Sequence, residues 1–143
     1  MLTELELNLR TPGKDYPALV VPLTPVTMIG GHSRLLMALQ LSTRRWVADK
    51  YLVDHYVGHA WHYTEYDELI RATFRAPREL GYNVIVTTQS IEMIHAFYRV
   101  AKATGEPFSY VRIEETRSGR LQAVTYDMEA LEGAIEVLEL ELR

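Results

Sequence analysis

The run Asn83–Thr88, "NVIVTT", constrains the fold more than any other segment of this chain. A strand with one wet face alternates apolar and polar residues, but Val84, Ile85 and Val86 are apolar in succession. Such a run needs cover on both faces, the habit of parallel strands packed between layers. The next segment is a helix by its spacing. Ser90 suits an N-cap, Ile91, Ile94, Phe97, Tyr98 and Ala101 share one face, and Gly105 suits the C-terminal stop. A central strand leading into a helix predicts an α/β fold.

The neighbouring segments extend that unit. Leu2–Leu9 alternates, with Leu2, Leu5, Leu7 and Leu9 against Glu4, Glu6 and Asn8. With the turn residues of Thr11–Pro17 and the apolar Ala18–Leu23, it predicts an N-terminal hairpin. Pro25–Gly31, "PVTMIGG", predicts a short strand that stops at a Gly30-Gly31 turn, followed by a helix over Ser33–Leu41. Tyr51–Val53 is apolar and ends at Asp54; three residues fit either a helix or a strand. Thr64–Leu80 predicts a helix with Tyr66, Leu69, Ile70, Thr73, Phe74 and Leu80 on its apolar side. Pro77 is expected to kink it or end its regular part, and Gly81 to cap it. A second hairpin turns at Ser118-Gly119, and Asp127 is placed to cap a last helix over Met128–Leu138. The expectation is one domain over residues 1–143, with three strand–helix units and antiparallel hairpins at both ends of a mixed sheet.

Composition narrows the function. With no cysteine, disulfides and thiolate metal sites are excluded. No apolar run is long enough to span a bilayer. "MLTELELNLR" lacks the basic start and apolar middle of a secretory signal, so a cytoplasmic location is expected. A net charge of −4 argues against a broad nucleic-acid surface.

Motifs then point to a family. "IVTTQSIEMIHAF" (Ile85–Phe97) resembles the switch strand and helix of prokaryotic AAA-type ATPases, soluble relatives of ATP-binding-cassette and SMC proteins. "YLVDHY" (Tyr51–Tyr56) falls where that family carries Walker B, and "LTPVTMIGGHSRLLMAL" (Leu23–Leu39) resembles its Walker A strand, loop and helix. His62–Asn83 looks like the helix after Walker B, and Tyr110–Arg143 is similar to the closing hairpin and helix. The resemblance implies a P-loop-NTPase-like parallel core.

It also implies a degenerate site. The family places four residues between its first Walker A glycine and Gly-Lys-Ser; here Gly30 and Gly31 are adjacent. His32 stands at the lysine position, while Ser33 keeps the magnesium-binding hydroxyl. Asp54 matches the Walker B aspartate, but His55 replaces the glutamate and Gln89 the switch histidine. The long insertion carrying the signature segment is reduced to about twenty residues between Ser33 and Asp54. A phosphate loop works through several amides curled around the β-phosphate plus a lysine ammonium. Phosphoryl transfer depends on groups placed around the γ-phosphoryl, and losing one such group typically costs about 10²–10³ in rate. ATP hydrolysis, and ATP with magnesium as cofactors, are therefore expected to be lost.

The expected function is a non-catalytic interaction or assembly role on this scaffold, as a homo-oligomer or with a protein partner. The clustered aromatics Tyr51, Tyr56, Trp61, Tyr63 and Tyr66 favour self-association. Two alternatives stay open. One is a nucleotide or small-anion sensor using the helix N-terminus at Gly31–Ser33. The other is a transition-metal site, such as zinc, built from His32, Asp54 and His55 if they converge with Gln89.

Overall fold

The computed structural model describes residues 3–32, Leu35, 51–55 and 63–137; for 51–55, 63–66, 136 and 137 it describes the backbone alone. The strands in chain order are β1 (Glu4–Leu7), β2 (Arg10–Thr11), β3 (Lys14–Asp15), β4 (Leu19–Pro22), β5 (Val26–Gly31), β6 (Tyr51–His55), β7 (Asn83–Thr87), β8 (Phe108–Glu115) and β9 (Leu121–Tyr126). The described helices are α1 (Tyr63–Leu80), α2 (Ile91–Thr104) and α3 (Met128–Val137). None is long and apolar enough to cross a membrane.

The main sheet runs β6-β7-β5-β8-β9. The first four strands are parallel and β9 returns antiparallel on β8. The fold is therefore the mixed α/β sheet that the patterning predicts. β7 is interior and buried along its whole length, as "NVIVTT" requires, although the middle strand is β5. Tyr51–His55 resolves as a strand, paired along β7.

Period-two alternation divides the core. Val26 and Met28 of β5, Val84 and Val86 of β7, and Phe108 and Tyr110 of β8 join the helices in one cluster. The chain's three phenylalanines meet there, one each from α1, α2 and β8. Phe74 lies 5.7 Å from Phe97 and 5.8 Å from Phe108, centroid to centroid, and Phe97 stacks on Phe108 at 5.8 Å. Pairs at these separations add roughly 0.5–1.5 kcal/mol each beyond simple burial. Ile29, Ile85, Val111 and Ile113 join the opposite cluster, with Leu5, Leu7, Leu9, Val21 and Leu35. The β1–β4 hairpin thus covers the second face, with the small β2–β3 hairpin inside its connection.

Local chemistry places the helix ends where the sequence sets them. Ser90 accepts from the Met93 amide at 3.4 Å, and Gly105 closes α2 with φ 70°. Asp127 Oδ1 accepts from the Ala130 amide at 2.8 Å. α1 runs through Pro77 to Leu80, and the Gly81 amide bonds back to the Pro77 carbonyl at 2.9 Å. Two residues of its expected apolar side are corrected: Leu69 is 44% exposed and Leu80 56%. The buried stripe is Ile70, Thr73, Phe74 and Pro77, and both leucines fall on its shoulder.

Candidate functional site

In an open parallel sheet, ligands bind beyond the carboxyl ends of the strands. The three segments that resemble nucleotide-site motifs, on β5, β6 and β7, all end at that edge. Their ladders keep them level: Ile29 pairs with Thr87, and Thr87 with His55. The Thr88 amide donates to the Ile29 carbonyl at 3.1 Å, and the Gln89 side-chain amide to the Gly31 carbonyl at 3.4 Å. Gly31 and Gln89 are therefore brought together. Asp54 and His55 sit at the last two positions of β6, beside Val86 and Thr87 in the register, with side chains outside the described residues. Ser33 and the predicted helix beyond it lie outside the described residues too, except Leu35.

The glycine pair departs from its expected role. β5 ends at Gly31 as the sequence predicts, but the pair is part of the strand rather than a turn: Gly30 and Gly31 pair with Arg112 and Ile113 of β8. The reason is steric. A Cβ on Gly30 would lie 2.1 Å from the Tyr110 hydroxyl, and one on Gly31 would lie 2.4 Å from the Ile113 carbonyl oxygen. Gly31 also has φ 145°, a region that L side chains rarely adopt. The two glycines let β8 and its tyrosine approach β5; they do not form a turn.

Tyr110 is fully buried above Gly30, and burial pushes its phenol well above the ordinary tyrosine range. Tyr126, whose ring centroid is 5.7 Å away, adds to that rise, and Arg112 partly opposes it. The chain leaves the sheet only at His32, whose carbonyl accepts from the Leu35 amide at 3.0 Å.

His32 is exposed and lines a cleft of about 250 Å³ with Leu35, Arg112, Ile113, Glu114 and Glu115. This cleft lies toward β8, away from β6. Glu115 takes the Lys14 ammonium at 2.6 Å and the Tyr16 hydroxyl at 3.0 Å, which ties the β2–β3 hairpin to the end of β8. Among the described residues, no three His, Asp or Glu side chains gather as metal donors. Sequence reasoning missed Tyr110 and Arg112 at this edge. No local pattern marks them, because their roles depend on a parallel partner far away in the chain.

The opposite edge is sealed. Thr24 Oγ1 lies 3.2 Å from both Thr27 Oγ1 and Ser109 Oγ, and the Asn83 side-chain amide donates to the Thr24 carbonyl at 3.2 Å. The Val84 amide donates to the Pro25 carbonyl at 2.8 Å. Thr27, Asn83 and Ser109 are buried, so these bonds satisfy groups that water does not reach. No family model, curated protein or solved structure matches the chain.

Proposed function

We propose that the chain is a non-catalytic protein on an ATP-binding-cassette-like scaffold, acting through interaction or assembly. One observation carries this reading: Gly30 and Gly31 are extended and paired with β8. Amides held along a ladder cannot curl around a phosphate, which needs several N–H groups aimed at one point. The Leu35 amide is also engaged, by the His32 carbonyl, which leaves one fewer donor for an anion sensor. The cleft beside His32, at about 250 Å³, is smaller than the roughly 300–1,000 Å³ of typical small-molecule sites. The level carboxyl ends of β5, β6 and β7 support the scaffold half of the reading, since a shared nucleotide site would need that alignment.

The test is a paired measurement on the purified chain: phosphate release from ATP with magnesium, and calorimetric titration with ATP, ADP and AMP. The expected result is no release above background and no saturable heat. Magnesium-dependent turnover that Asp54→Ala abolishes would overturn the reading. For the assembly half, light scattering is expected to give a mass above the 16.5 kDa of one chain.

A further inference from the structure

α1 carries Arg71, Arg75 and Arg78. Spacings of four and three residues put them on one flank, spread over about 10 Å of helix axis. That flank borders α2, and all three arginines are exposed. A cleft of about 160 Å³ lies between the two helices, lined by these arginines together with Phe74, Val100 and Glu106. Arg78 is ion-paired with Glu106. Among the described residues, no carboxylate pairs with Arg71 or Arg75, although Glu68 and Glu79 lie on the same helix. Two guanidinium forks thus face a cleft with an apolar wall, on a chain whose net charge is −4.

We propose that this cleft docks an acidic, extended peptide segment of a protein partner, with carboxylates on Arg71 and Arg75. Guanidinium groups bind carboxylates bidentately, which gives both orientation and strength. The spacing fits as well. Four helical residues advance about 6 Å, and alternate side chains of an extended strand are about 6.6 Å apart. An acid-x-acid segment therefore presents its carboxylates at the separation of Arg71 and Arg75. Its partner charge is the opposite of the cleft's, which steers encounter and fixes register. The inference rests on the interaction reading and names the class of partner.

The test uses the full chain and a fluorescein-labelled peptide of alternating Ser and Glu, followed by fluorescence anisotropy. A Ser-Lys peptide and a single-stranded oligonucleotide of matched charge serve as the comparison probes. The Ser-Glu peptide is expected to bind saturably, more weakly as salt rises. Arg71→Glu with Arg75→Glu is expected to weaken it by at least about tenfold while leaving the thermal melt in place. If that variant misfolds, Arg71→Gln with Arg75→Gln decides the matter, again with a loss expected. Equal affinity of the folded variant, equal binding of the Ser-Lys peptide, or tighter binding of the oligonucleotide each overturns the proposal. Its failure is separable from that of the interaction reading, which light scattering, phosphate release and nucleotide titration judge without the peptide.

Discussion

The two edges of the parallel sheet are built on opposite principles. At the amino ends of β5, β7 and β8, hydroxyls and an amide from half-buried Thr24 and buried Thr27, Asn83 and Ser109 interlock. At the carboxyl ends, a glycine pair admits a tyrosine, and His32 and Gln89 are left exposed. The first edge fixes strand alignment through hydrogen bonds that would cost free energy if broken in the dry interior. The second fixes it through close steric fit. At the edge where α/β proteins place ligands, Gly30, Gly31 and Tyr110 are given to packing.

The sharpest way to break the comparison is Gly30→Ala. Its Cβ would meet the Tyr110 hydroxyl, so a stability loss of about 3 kcal/mol is expected, at the upper end for overpacking. Urea unfolding measures it, and Tyr110→Leu in the same chain should recover part of the loss through a double-mutant cycle. No loss would mean that the glycine pair is not there for packing. At the other edge, Asn83→Ala strips the side-chain donor from the half-buried Thr24 carbonyl and should cost about 1.5 kcal/mol. A cost below that of an exposed control would remove the distinction between the edges.

Alkali sharpens the contrast by acting on Tyr110. The unfolded phenol ionises near pH 10, whereas the buried one stays protonated. The unfolded state then binds fewer protons than the folded state, so stability falls as pH rises above about 10. The slope contributed is up to about 1.4 kcal/mol per pH unit. Tyr110→Phe should flatten it in a pH series of melts, and an unchanged slope would assign the effect elsewhere. Smallest is Gln89→Ala. Its bond to the Gly31 carbonyl is long and exposed, so a change within about 0.5 kcal/mol is expected in the same urea assay.

Elements whose cause is local are legible in the sequence. Ser90, Gly105, Asp127 and Gly119 act through neighbours within a few residues, and each stands where its chemistry predicts. Buried β7 is legible too, since Val84, Ile85 and Val86 are apolar in succession. Gly30-Gly31 reads as a turn because adjacent glycines usually mark one. Their actual constraint is Tyr110 and Ile113, which no window around them contains. Leu69 and Leu80 read as apolar-side residues because periodicity defines a stripe without fixing its edges. At the candidate site, the level strand ends come from the parallel order of β5, β6 and β7, which local patterns do not encode. The arginine row of α1 is readable by its spacing, but its significance needs the neighbouring helix.

The strand order also sets a timetable for synthesis. β5 and β6 are made early, yet each pairs with β7, and among the described residues β5 otherwise pairs with β8. Among the described residues, neither earlier strand has a neighbour in the main sheet until Asn83–Thr87 has left the ribosome. The nascent chain carries the apolar Val26–Ile29 segment without its sheet partners until Asn83–Thr87 follows, the interval in which holdase chaperones would find it.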